Sequence, residues 1–255
     1  MRVALALSGG GIRAMAHLGV VEVLQRHGLR IGAVSGSSGG ALVGALLCDG
    51  KGPREIASIM GTLRLRDLAG RPRGGGVFGL ERIERLLATH LVSQRIEEMP
   101  IPFTVACTDL KKGAVRYFDR GPAARLCTAS SSLVPIFSPV RYEGTLLADG
   151  GFMDNMPTKP LKRFAFPVVG INVNSIPPTE PSGVVGTTIR VLMLMMAANI
   201  EASRSLADLY IEPKGCGSIN IFDLKSGQAA YDEGVRAAEG AIDRIAAVVE
   251  RFEKN

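Results

Sequence analysis

Residues 2–8 run apolar, the pattern of a buried strand, and Gly9-Gly10-Gly11 end the run. From residue 13 the period lengthens. Met15, Leu18, Val21 and Leu24 share one side of a helix over 13–27, with Gly19 available for close packing and Gly28 suited to the C-cap. A second apolar run, 31–35, reads as a strand, and 39–48 as a helix of small residues. Strand, helix, strand, helix with short connections predicts a parallel α/β sheet covered on both faces.

The later pattern continues this alternation. Residues 53–60 and 80–91 read as helices, separated by a loop at 70–79 rich in Gly, Arg and Pro. Residues 102–108 and 114–119 read as strands joined by the turn Lys111-Lys112-Gly113, and 122–130 as a helix. Short strands are expected at 145–148, 168–173 and 209–212, with a helix at 187–203. Near the end, Val235, Ala238, Ile242, Ile245, Val249 and Phe252 recur at spacings of three and four, one apolar stripe on a single helix. There is no repeat and no linker-like stretch, so residues 1–255 are read as one domain.

Composition narrows the class. The formal charge of +6 suits an anionic surface without demanding one. No zinc-finger spacing, helix-turn-helix pattern or aromatic–basic interleaving is present, so nucleic acid is not an expected partner. Cys48, Cys107, Cys127 and Cys216 are scattered and form neither a CxxC pair nor a metal spacing, as expected of buried thiols in a reducing compartment. No metal or cofactor is expected. The apolar start is too short for a signal peptide. The most apolar later run, 191–200, is bracketed by Arg190 and Glu201 and is too short to span a bilayer. These features predict a cytoplasmic protein, peripheral to membrane at most.

Three short segments carry candidate chemistry. In Gly36-Ser37-Ser38-Gly39-Gly40 only Ser38 has glycine at both minus two and plus two, the pattern of a nucleophile elbow. The bland reading is a Gly/Ser loop before a helix. A serine nucleophile normally borrows a histidine, but no histidine follows His90, so the late histidine of an ordinary α/β-hydrolase is missing. Asp149, in Ala148-Asp149-Gly150-Gly151, is the candidate base, though the dipeptide alone also fits an Asp-Gly turn. A carboxylate of reference pKa about 3.9 is a poor base in water; it needs desolvation and a strong oxyanion hole. Gly9-Gly10-Gly11-Ile12-Arg13, between strand and helix, offers free N–H groups for such a hole. Gly9-x-Gly11-x-x-Ala14 also fits a dinucleotide fingerprint, but the second strand ends in Ser35-Gly36 without the expected acid.

These three segments, in this order, resemble the patatin-like phospholipase family. Ala129-Ser130, Pro135-Ile136-Phe137-Ser138-Pro139 and Asp154-Asn155-Met156-Pro157 add to the resemblance, which covers roughly residues 2–175. Ala14 departs from it, where relatives often carry glycine.

The resemblance implies a three-layer α/β/α fold with a mainly parallel central sheet. It also implies a Ser38–Asp149 dyad without histidine or cofactor, acting on an acyl-ester lipid substrate. Gly10, Gly11 and Ile12 would supply oxyanion N–H groups. Gly9, Gly36, Gly40, Gly150 and Gly151 would allow the close approaches, and Arg13 would hold the glycine loop, with a headgroup contact as its alternative. A non-enzymatic lipid-binding or regulatory protein retaining this fold is the competing reading. His17 is expected to be a packed helix residue, and Met193, Met195 and Met196 ordinary core, with an acyl-chain pocket as the other possibility. The arginines at 64, 66, 71, 73, 82 and 85, around Val77 and Phe78, form either a solvated face or a contact with anionic membrane.

Overall fold

The computed structural model describes residues 1–71 and 75–254. In chain order its strands are β1 (Arg2–Leu7), β2 (Arg30–Gly36), β3 (Phe103–Asp109), β4 (Ala114–Phe118), β5 (Val140–Tyr142), β6 (Thr145–Asp149), β7 (Val168–Ile171) and β8 (Leu209–Ile211). The helices are α1 (Met15–Arg26), α2 (Gly39–Cys48), α3 (Pro53–Gly61), α4 (Glu81–His90), α5 (Ala123–Ser130), α6 (Gly183–Arg204), α7 (Gly227–Glu239) and α8 (Ile242–Lys254).

One sheet runs β5-β6-β3-β2-β1-β7-β8, with β4 added on β3. The five strands from β3 to β8 are parallel, whereas β4 and β6 pair antiparallel with β3 and β5 antiparallel with β6. The sheet is therefore mixed, and the expected parallel character belongs to its central and β8 side.

The alternation of side chains along a strand makes the layers. On β1, Val3, Leu5 and Leu7 face the main core, which takes in α1, α2 and α7. Ala4 and Ala6 face a second, smaller core with Met156, Leu161 and Ile200. Apolar burial on both faces of β1 is what the unbroken apolar run required, and it gives the three-layer α/β/α arrangement. On the main face α1 and α7 touch backbone to backbone. A methyl group on Gly234 would lie 1.9 Å from Ala16 O, and one on Gly19 2.1 Å from Tyr231 O.

Three expectations change. The C-terminal stripe is split between α7 and α8 by a turn at Gly240-Ala241, and Phe252 is exposed. The stripe keeps its phase because Ala241 N still donates to Ala238 O across the break. The helix predicted at 187–203 begins at Gly183 and reaches Arg204, so it is long and apolar enough, by length and composition, to cross a membrane. The three-residue β5 has no apolar run to announce it, since Arg141 is exposed at the sheet edge and only Val140 is fully buried, with Tyr142 half-buried against Phe118. All four cysteines are buried and free.

The register of β3 prepares the site. Its N-terminal half pairs with β2, Gly36 opposite Val105, and its C-terminal half with β6, Asp149 opposite Cys107. Two strands thus end two residues apart along β3, about 6–7 Å, and their ends carry Ser38 and Asp149.

Candidate active site

Ser38 leaves β2 with φ 51° and ψ −126°, a conformation that side-chain-bearing residues rarely adopt. Two contacts hold it there. Its N–H donates to Ser130 Oγ at 2.9 Å, and that hydroxyl donates to Ala106 O at 2.6 Å. The turn closes because Gly40 has no side chain: a methyl there would lie 2.4 Å from Leu7 O. Ser37, its neighbour, points inward and is fully buried, so of the two only Ser38 faces the cavity.

Ser38 Oγ donates to Asp149 Oδ2 at 2.7 Å. Asp149 Oδ1 accepts from Gly151 N at 2.8 Å, and Asp149 O accepts from Thr108 Oγ1 at 2.7 Å. Asp149 is 1% exposed. Burial pushes its pKa up to about 7, against the smaller downward pull of the Ser38 and Gly151 hydrogen bonds. Its proton affinity is therefore close to that of a histidine at neutral pH.

The glycine loop packs against the elbow. A methyl on Gly9 would lie 2.8 Å from Ser38 Cβ, and one on Gly39 2.7 Å from Gly11 O. Gly11 adopts φ +56° and approaches Ile221 O so closely that a methyl would lie 2.3 Å from it. The N–H groups of Gly10 and Gly11 find no acceptor among the described residues, and both glycines line the cavity beside Ser38. Ile12 differs from expectation: its N–H donates to Ile221 O at 3.0 Å and is not free for an oxyanion. Arg13 is buried, with Nε donating to Ile219 O at 2.7 Å and a terminal nitrogen to Gly217 O at 3.2 Å. It clamps the 217–221 segment onto the loop.

His17 is fully buried, and its Nε2 donates to Ser8 O at 2.9 Å. Desolvation lowers its pKa to about 4, so the ring is neutral. None of the three histidines lines the cavity. From Ser38 and Asp149 the cavity extends between apolar walls that include Leu42, Met60, Ile83, Phe137 and Met196. Met193 also lines it, whereas Met195 is exposed, so two of the three methionines belong to the cavity wall.

A profile of the Patatin family, patatin-like phospholipases, matches residues 5–162, which include every residue of this pair and its glycine loop. The chain belongs to the patatin-like phospholipase family. An uncharacterized NTE family protein of Mycobacterium tuberculosis is 37% identical over 164 residues, 63% of this chain and 45% of that protein. The lysophospholipase NTE1 of Mycosarcoma maydis is 32% identical over 194 residues, 71% of this chain and 10% of that protein. The chain thus spans less than half the length of these relatives. Among solved structures, VipD from Legionella pneumophila superposes with a TM-score of 0.61 at 16% identity, over 95% of this chain and 66% of that one, a likeness of fold.

Within this patatin-like site, three asparagines escaped the sequence reading. Asn155 Oδ1 accepts from Gly9 N at 3.1 Å, and Asn174 Nδ2 donates to Gly9 O at 2.5 Å, so both backbone polar groups of Gly9 are held. Asn199, on α6, accepts from Asn155 N at 2.9 Å and donates to Gly151 O at 2.8 Å. Asp154 accepts from Tyr117 and from Ser203 of α6. Asn155 lies in the Asp154-Asn155-Met156-Pro157 segment, but nothing local in the sequence marks Asn174 or Asn199, which act across long chain separations.

Proposed function

We propose that this chain is a serine acyl hydrolase of lipids, of phospholipase A or lysophospholipase type, working through a Ser38–Asp149 dyad. The observation that carries the reading is the 2.7 Å contact between Ser38 Oγ and a buried carboxylate of raised pKa, at the floor of an apolar cavity. The family membership and the printed name of the fungal relatives, lysophospholipase, support the same class.

The chemistry follows from the geometry. Ser38 Oγ attacks the ester carbonyl carbon as Asp149 Oδ2 takes its proton. The carbonyl oxygen gains negative charge and turns to the N–H groups of Gly10 and Gly11. Collapse of the tetrahedral intermediate breaks the ester bond, and the proton on Asp149 leaves with the alcohol. Water then enters, gives a proton to Asp149 and attacks the acyl-serine. The fatty acid departs, and the proton returns to Ser38 Oγ. The apolar walls hold the acyl chain and keep Asp149 desolvated, which a strong carboxylate base requires.

A fluorophosphonate probe tests this. Labelling confined to Ser38, abolished in Ser38→Ala and strongly slowed in Asp149→Asn, is the expected result. A folded protein that takes no label would favour a non-enzymatic lipid-binding protein on the same fold. The reading also carries a cytoplasmic enzyme that visits membranes, which fractionation into cytosolic and salt-released membrane pools would check.

A further inference from the structure

We propose that the outward face of α6, together with Val77 and Phe78, is the surface by which this protein lies on a phospholipid bilayer. Between Gly183 and Ile200 the only charged residue is Arg190. Such a helix is long and apolar enough to span a membrane, but its connections assign it another place. It joins β7 to β8, which are adjacent and parallel in one sheet, Val169 opposite Leu209. Both ends therefore return to the same sheet. Its inner side is pinned by Asn199 to Asn155 and Gly151, and by Ser203 to Asp154. A spanning helix would have to break these bonds and the strand pairing. What remains is a helix fixed along one side, with Val184, Val185 and Met195 exposed by 84%, 72% and 59%. A contiguous apolar face of this kind marks an interaction surface, and a helix lying in the bilayer interface has this form.

The occupant is identified by where the face leads. An almost wholly apolar trough lies between Val184, Val185 and Ile189 of α6 and Val77, Phe78 and Ile136 opposite. Leu68, Phe137 and Phe222 belong both to this trough and to the wall of the cavity that holds Ser38. An acyl chain can pass from the trough to the serine along apolar surface, a passage that a lipid needs and a docked protein does not. Ala69, at the trough's edge, also borders a hollow lined by the exposed Arg71, Arg82 and Arg85 together with Glu81, and Arg82 is paired with Asp67 at 3.3 Å, which leaves Arg71 and Arg85 in excess over one carboxylate. Basic groups beside an apolar face favour anionic headgroups. Arg73, grouped with Arg71 in the expected membrane contact, lies outside the described residues. The choice of lipid as occupant rests on the acyl-lipid reading; the exposed apolar face of α6 does not.

The chain has no tryptophan, so one introduced indole reports its own surroundings. In a Ser38→Ala background, which leaves vesicles intact, Val185→Trp should shift its emission to the blue on adding phosphatidylcholine–phosphatidylglycerol vesicles. Bromine-labelled lipid should quench it. Val92→Trp, at a site 82% exposed beyond the far end of α2, should do neither. Changing Val184, Val185, Leu194 and Met195 together to Ser should weaken vesicle binding at least tenfold, while the circular dichroism spectrum and, with Ser38 intact, hydrolysis of a short soluble ester stay unchanged. Emission of Val185→Trp that ignores vesicles, or undiminished binding of the serine variant, would overturn the proposal. A blue shift that grows with protein concentration without lipid would assign the face to a second copy of the chain and equally overturn it. Lipid quenching with no fluorophosphonate labelling of the Ser38-containing protein would remove the hydrolase reading and leave the docking intact.

Discussion

Replacing Asp149 by Asn should make the protein more stable at alkaline pH while strongly slowing its chemistry. In the folded state burial raises the Asp149 pKa from 3.8 to about 7. Between those values the folded chain keeps a proton that the unfolded chain has released. Stability therefore falls as pH climbs from about 4 to about 7 and is level above that. A shift of about three units at ~1.4 kcal/mol each amounts to about 4 kcal/mol. Asn has no charge to desolvate and can keep both contacts, its oxygen accepting from Gly151 N and its amide donating to Ser38 Oγ. Other groups titrate alike in the two proteins and cancel in the difference. At pH 4 the two should melt together. At pH 8 Asp149→Asn should melt higher by up to about 4 kcal/mol, roughly 8–16 °C for a chain of this size. Thermal melts at half-unit steps from pH 4 to 9 read this directly. The rate profile supplies the cross-check: kcat/KM of the unaltered enzyme on a soluble ester should rise tenfold per unit below pH 7 and level above it. A melting difference that does not change with pH would refute the desolvation argument. Full activity at pH 5 would show Asp149 already ionised there and refute the base of raised pKa.

Other outcomes follow from single contacts. Ser38→Ala should lose all nitrophenyl ester hydrolysis with an unchanged circular dichroism spectrum, whereas loss in Ser37→Ala alone would mean the wrong serine was chosen. Gly11→Ala, forced toward Ile221 O, should slow acylation by roughly a hundred- to a thousandfold, the range of a lost oxyanion donor; single-turnover kinetics would show it. His27→Gln with His90→Gln should leave turnover unchanged, and His17→Gln should keep acylation within about tenfold in the folded fraction, measured by active-site titration. Asn199→Ala removes partners from Asn155 N and Gly151 O and should cost about 1–3 kcal/mol of stability in denaturant melts, with slower labelling of Ser38.

What the sequence made legible was whatever the local chain has to solve by itself. The elbow must be read as Gly36-x-Ser38-x-Gly40, because its strand and helix pass at backbone distance and no other residue type fits. The run through β1 must be apolar on both faces, because helices cover both. Ile12 departs from the expected role for the opposite reason. Its N–H looks as free as its neighbours' until residue 221, far along the chain, takes it. The same distance hid the asparagine clasp of Gly9; the break between α7 and α8 is local, but the apolar phase runs through it and only a turn interrupts the axis.

The helix α6 shows why length of an apolar run is an incomplete guide. Its polar residues are few, but two of them, Asn199 and Ser203, fall on the side that meets the loop after Asp149. That loop supplies Gly151 N to the carboxylate and Asn155 to the glycine loop. This helix, which leaves much of its apolar surface uncovered, is thus tied, through two asparagines, to both halves of the proposed catalytic machinery. A helix selected only to fill the core would bury its valines, and one selected only to cross a bilayer would not need these bonds. An apolar outer face with a polar inner clasp fits an element that must meet lipid on one side and keep the dyad and its oxyanion loop in register on the other.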